Sequence, residues 1–127
     1  MEFESGTPIW TQLVDEFIRR IASGEWTAGS RIPAVRELAG DLGVNPNTAQ
    51  RALTELERRG LCRTERTAGR FITDDSELIT ETRVTLARSS ADDYIRIARG
   101  LGLSQTQATR LISESWHNHD IDDSEGK

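Results

Sequence analysis

Residues 33–60 read Pro33-Ala34-Val35-Arg36-Glu37-Leu38-Ala39-Gly40-Asp41-Leu42-Gly43-Val44-Asn45-Pro46-Asn47-Thr48-Ala49-Gln50-Arg51-Ala52-Leu53-Thr54-Glu55-Leu56-Glu57-Arg58-Arg59-Gly60. Pro33 suits the opening of a short helix, and Val35, Leu38, Ala39 and Leu42 recur at helical spacing before Gly43 stops it. Asn45-Pro46 then sets a good N-cap before a proline at the first helical position, where no N–H is needed. A new helix is therefore predicted from Pro46 to about Arg59, with Gly60 as its stop. Ala49, Ala52, Leu53 and Leu56 mark its buried side. Two short helices joined by so tight a turn predict a helix-turn-helix.

Upstream, Thr7 and Pro8 offer a cap and a first helical residue. Trp10, Leu13, Val14, Phe17, Ile18 and Ile21 then form the stripe of a half-buried helix that Gly24 ends. Residues 25–32 connect, with Arg31-Ile32 extended ahead of Pro33. Downstream, Leu61–Glu65 and Arg70–Thr73 read as two strands around Arg66-Thr67-Ala68-Gly69. A hairpin directly after the third helix is a wing. The predicted fold class is mainly α with a small β-hairpin: a winged helix-turn-helix followed by a two-helix C-terminal arm.

The arm begins at Asp74-Asp75-Ser76 and reads as helical to about Arg99, although Thr82–Leu86 is equally compatible with extended chain. Gly100 and Gly102 interrupt. Ser104 with Gln107 forms a capping box, and Ala108, Leu111, Ile112 and Ser115 give the last helix its face. The predicted division is 1–74 for DNA binding, 75–118 for a helical dimerisation arm, and 119–127 for a disordered acidic tail. Each arm helix has only one apolar stripe and cannot close a core alone, so a homodimer through residues 75–118 is expected.

Charge is distributed unevenly. The net charge is −5, from 16 Lys+Arg and 21 Asp+Glu. Residues 1–73 hold ten of each sign, whereas 74–127 hold six bases against eleven acids and carry the whole deficit. Residues 31–70 contain eight Arg and five acids, a local +3. Such a chain has a basic face on a neutral domain, which permits DNA binding with weak nonspecific affinity. No stretch approaches the roughly 20 apolar residues that span a membrane, and the acidic start has no secretory pattern. The single Cys62 reads as a small core residue on a strand. A cytoplasmic protein without a membrane partner is expected.

At 100° per residue, Asn47, Arg51, Thr54 and Arg58 lie opposite the apolar side of the third helix. No carboxylate occurs from Val44 to Thr54. Arg51 matches guanine O6 and N7, Asn47 or Gln50 matches adenine N6 and N7, and Thr48 suits a phosphate or a thymine methyl. Asn45 sits at a helix start, where amides and the helix dipole favour phosphate. Arg36 occupies the helix that crosses the backbone. Arg66 and Arg70 flank the hairpin loop and are candidates for minor-groove or phosphate contact. Arg31 fits structural pairing and DNA contact equally well. These residues in this pattern point to double-stranded DNA as the partner.

Other chemistries find little purchase. His117 and His119 sit in the expected tail with loose geometry, and Asp120, Asp122 and Asp123 read as a solubilising end. There is no zinc-type Cys/His cluster, phosphate loop or serine elbow, so no metal, cofactor or catalytic residues are expected, and no enzyme. The main rival is a winged helix whose outer face binds another protein, which the salt dependence of binding would separate from DNA recognition.

Residues 29–39, then Leu42-Gly43-Val44-Asn45-Pro46-Asn47-Thr48, then Leu53-Thr54-Glu55-Leu56-Glu57-Arg58-Arg59-Gly60-Leu61 resemble the GntR family of bacterial regulators over about residues 7–73. The Asn-Pro-Asn-Thr turn and the short tail broken by Gly100-Leu101-Gly102-Leu103-Ser104 resemble its YtrA-type branch. The resemblance implies a transcription regulator, commonly a repressor, acting as a homodimer on a pseudo-palindromic operator. It places DNA contacts at Arg36, Asn45, Asn47, Thr48, Gln50, Arg51 and Arg66. The tail is too short for a separate metabolite-binding domain, so an effector pocket is expected to be small or built at the dimer interface. The wing departs from the family's Arg-Gly-x-Gly-Thr-Phe: Thr67 replaces the first Gly and Arg70 the Thr. A β-branched Thr67 resists positive φ, so a differently turned wing tip is expected, with Arg70 adding a compensating charge.

Overall fold

The computed structural model describes residues 1–125, which form five helices and one hairpin. Helix α1 spans Ile9–Ser23, α2 Val35–Leu42 and α3 Pro46–Arg58; strands β1, Cys62–Glu65, and β2, Gly69–Ile72, follow; then come α4, Ser76–Gly100, and α5, Gln105–Glu125. The chain makes two compact units, Met1–Leu86 and Ala87–Lys127, and α4 contributes to both.

In the first unit the stripe on α1 buries Leu13, Val14, Phe17, Ile18 and Ile21 against Leu38, Leu42, Leu53 and Leu56 from the next two helices. Phe17, Leu13 and Leu56 are 0 % exposed, and truncation at such a site costs about 2–5 kcal/mol. Gly24 ends α1 in the left-handed conformation, as its position predicts. Thr7 does not cap this helix. Pro8 occupies the N-cap and gives no side-chain bond, because Thr7 stands one residue too far out. Gln12 pins the approaching chain instead, donating to the Glu4 and Thr7 carbonyls at 3.0 and 2.9 Å.

Helix α2 starts at Val35, two residues later than Pro33, because the chain before it is held extended against the wing. The Ile32 N–H donates to the Arg70 carbonyl and the Ile72 N–H to the Ser30 carbonyl, both at 2.8 Å. The connector thereby adds a third edge to the hairpin, with Arg31 bridged to Phe71. The hairpin itself is antiparallel with Cys62 opposite Ile72 and Thr64 opposite Arg70. Cys62 is buried, its Sγ donating to the Leu53 carbonyl at 3.7 Å, and burial pushes its thiol up to about 11.

The boundary between units falls later than residue 74. Ile79 joins the core of the first unit, Leu78 packs beside it, and the Arg83 Nε donates to the Ala22 carbonyl at 2.6 Å. Residues 82–86 belong to one continuous α4, so the extended alternative does not occur. In the second unit the Tyr94 hydroxyl donates to the Ala108 carbonyl at 2.8 Å, tying α4 to α5. The capping box forms as expected: the Ser104 Oγ accepts from the Gln107 N–H at 3.1 Å, and Gln107 Oε1 from the Ser104 N–H at 2.9 Å. From that start α5 runs to Glu125, so residues 119–125 are helical where disorder was expected; 126–127 lie outside the described residues. Elongating a nucleated helix costs little per residue, and no Gly or Pro interrupts it before Gly126.

Candidate nucleic-acid interface

Gly43, at φ 70°, ends α2 with its N–H on the Ala39 and Gly40 carbonyls, and the chain enters α3 within two further residues. Only a residue without Cβ adopts this left-handed turn at little cost. The Asn45 Oδ1 accepts the Asn47 N–H at 2.8 Å and caps α3, with Pro46 in its first turn. Ala49, Ala52, Leu53 and Leu56 face the core, which turns Asn47, Gln50, Arg51, Thr54 and Arg58 to the surface. Thr48 is half-buried at the margin of that face. The outward stripe expected from helical geometry is thus present.

The side chains on this stripe differ in how committed they are. Thr54 Oγ1 donates to the Gln50 carbonyl at 2.9 Å, and Gln50 Nε2 lies 3.4 Å from that hydroxyl, so both fold back along the helix. Arg58 is bound by Glu55, which also holds Arg59 at 3.0 Å. The Arg58 and then the Arg59 guanidinium bring the Glu55 carboxyl down to about 2. Arg51 has no such carboxylate among the described residues; its guanidinium carbon stands 4.2 Å from the centre of the Trp10 ring.

Arg36 is exposed in the first turn of α2. Arg66 is exposed on the turn between β1 and β2, closed by the Ala68 N–H on the Glu65 carbonyl at 3.1 Å. No residue other than glycine has positive φ among those described, so Thr67 avoids the strained region and Gly69 takes it at 109°. Arg70, expected to flank the loop as a contact, does not project from the wing tip: the strand register puts it on the inner face opposite Thr64, with its side chain only 17 % exposed and its Nε 3.8 Å from Glu57 of α3. The alternation of side chains along a strand, rather than distance from the loop, sets its direction.

Two features were not legible in the sequence. Trp10 read as one more residue of an apolar stripe, yet it supplies the surface against which Arg51 rests. Arg31 lies against the wing, such that a Cβ at Gly69 would come within 2.8 Å of its Nε. Neither pairing follows from local spacing, since each joins distant parts of the chain.

Residues 10–72 match the family model described as bacterial regulatory proteins, gntR family. The regulator YhcF of Bacillus subtilis is 35 % identical over 106 residues, covering 84 % of this chain and 88 % of that protein. The transcriptional repressor YtrA of the same organism is 31 % identical over 111 residues, covering 87 % and 85 %. Among solved structures, a GntR family transcriptional regulator from Listeria monocytogenes superposes with a TM-score of 0.73 at 31 % identity, covering 88 % of this chain and 98 % of that one. The DNA-binding domain of AraR, solved in complex with operator ORR3, gives 0.51 at 26 % identity over 57 % and 88 %. The chain belongs to the GntR family, a DNA-binding transcription regulator with YtrA-type proteins among its relatives.

Proposed function

We propose that this protein is a homodimeric repressor that docks α3 in the major groove of each half of a pseudo-palindromic operator. The observation that carries the reading is the outward face of α3, whose N-terminal half has no carboxylate and presents Asn47, Gln50 and an Arg51 fork without a carboxylate partner. In this docking Arg51 reads a guanine, Asn47 or Gln50 reads an adenine, and Thr48 meets the rim of the groove. The Asn45 side-chain NH2, whose partner atom Oδ1 caps α3, faces a phosphate, Arg36 a second, and Arg66 the backbone beside the wing. Arg70 takes no part at the DNA and braces the wing from within.

Dimerisation is supported by the second unit, where apolar side chains remain in water: Leu101 is 73 % and Trp116 71 % exposed, and Leu111 and Ile112, which line one groove with Trp116, are exposed as well. A second copy of the same face would cover them. Two domains so joined address half-sites about 34–36 Å apart, one helical turn. Repression is the role stated in the name of the YtrA relative.

Selection of bound fragments from a random DNA pool tests the whole reading at once. The expected product is an inverted repeat with half-sites about 10 base pairs apart. Against that site, Arg51→Ala is expected to weaken binding by about 1–3 kcal/mol and to relax preference at one base pair per half-site. Arg36→Ala is expected to weaken all sequences alike. A selection that returns no inverted repeat, or an Arg51→Ala variant with unchanged preference, overturns it.

A further inference from the structure

The guanidinium of Arg51 and the ring of Trp10 form a contact that no local rule requires. Trp10 is the second residue of α1, half-buried and packed on the core of the first unit, so its ring is anchored. Arg51 lies on the exposed face of α3 with its guanidinium carbon 4.2 Å from that ring's centre. This is well inside the distance at which a cation is drawn to an indole face. We propose that Trp10 is a positioning residue for DNA recognition, holding the Arg51 side chain extended and ordered before the operator arrives. The proposal rests on the reading that Arg51 contacts a base.

Three considerations support it. First, an arginine on a helix surface has many rotamers, and ordering it at an interface subtracts from affinity; a side chain already held loses less. Second, the manner of holding matters. The arginines at the end of α3 show the alternative: Arg58 and Arg59 are both engaged by Glu55. A carboxylate occupies the N–H fork that guanine O6 and N7 require, and it repels the DNA backbone. An aromatic face attracts the same cation without supplying a carboxylate lone pair or a negative charge, so the N–H groups stay available for a base edge. Third, the Arg51 side chain makes no hydrogen bond or ion pair with another described residue, so the ring is the contact that orients it.

The experiment uses the full chain and the operator returned by random-pool selection. Binding is measured to that site and to versions changed at the base pair whose preference Arg51→Ala relaxes. Trp10→Leu keeps apolar bulk but removes the π face, whereas Trp10→Tyr keeps an aromatic face. Trp10→Leu is expected to lower discrimination at that one base pair about two- to fivefold. The slope of affinity against salt should not change, since no phosphate contact is lost. Trp10→Tyr should retain most of the discrimination, and Trp10→Leu should add nothing in an Arg51→Ala background. A second measurement needs no variant: in free wild-type protein, the Arg51 Nε–Hε group should be more ordered by NMR relaxation than that of Arg66.

An equal loss on every sequence would make Trp10 merely structural and overturn the proposal. So would a loss that persists without Arg51, gained affinity on removing the ring, or an Arg51 side chain as mobile as Arg66. Should Trp10→Leu fail to fold, the NMR comparison and Trp10→Tyr decide the matter. If Arg51→Ala relaxes no base pair, base reading by Arg51 fails and the proposal falls with it. If Arg51→Ala relaxes one and Trp10→Leu does not, the positioning role alone fails.

Discussion

Arg70 of β2 places its Nε 3.8 Å from Glu57 Oε1 on α3, and Thr64, directly across the strand pair, donates its hydroxyl to the same carboxylate oxygen. The wing is therefore tethered to α3, the helix whose outward face is proposed to read DNA. The Arg70 Nε is buried and makes no hydrogen bond. Its charge is balanced chiefly by Glu57 rather than by a formed N–H bond.

Removing that balance should be costly. Glu57→Ala leaves a largely buried guanidinium without its counter-charge and Thr64 without its acceptor, and is expected to destabilise the protein by about 1–3 kcal/mol. Arg70→Thr removes the unsatisfied group along with the charge and is expected to cost less. Denaturant unfolding of the two single variants and the double variant measures the coupling. Additive effects would show that the strut is not energetically real.

Gly69→Ala tests the wing from its other side. The residue sits at φ 109°, and the added methyl carbon would lie 2.8 Å from Arg31 Nε. Backbone strain of this kind amounts to about 1–3 kcal/mol, and Arg31 must also move. The expected outcome is a lower unfolding midpoint and weaker operator binding, both measurable on one preparation.

Acid should loosen the helices through two carboxylates. Arg19 and Arg20 hold the Glu16 carboxyl down at about 2, from an ordinary 4.5, and Arg58 with Arg59 does the same for Glu55. A carboxylate whose pKa is depressed on folding contributes stability that is present above about 4.5 and is lost as pH falls towards 2. Arg19, Arg58 and Arg59 are solvent-exposed and only Arg20 is half-buried, so the effect is modest and should shrink in high salt. Unfolding midpoints from pH 6 to about 2.5 should fall less steeply for Glu16→Gln and Glu55→Gln than for wild type.

The apolar face of the second unit gives a prediction about assembly. Trp116→Asp or Ile112→Asp places a charge where the dimer would bury it, and each is expected to raise the dissociation constant at least about tenfold. Sedimentation equilibrium reads this directly. Unchanged sedimentation in both variants would move the dimer contact elsewhere.

The order of elements, their caps and the outward stripe of α3 followed from local rules. Gly24 and Gly43 terminate helices in the left-handed conformation, Asn45 caps α3, and the Ser104–Gln107 box starts α5. Each of these depends on residues within one turn of one another, so spacing alone exposes them. Where local reading fell short, the cause was also specific. Thr7 was one position too early to cap, and the length of α5 was set by elongation after a strong start rather than by the composition of its end.

By itself, then, the sequence determined where the helices and strands of the first 74 residues lie, which side of α1, α2 and α3 turns inward, and which polar groups α3 offers to solvent. Tertiary structure decided which arginines are spoken for: Arg58 shares Glu55 along its own helix, but Arg70 meets Glu57, Arg31 covers Gly69, and Arg51 rests on Trp10 only because folding brings α1, α3 and the wing together. The physical reason is the reach of the interactions. Backbone propensity and capping act over three or four residues, whereas the partner of a long charged side chain is chosen by packing in space, where sequence separation has no bearing.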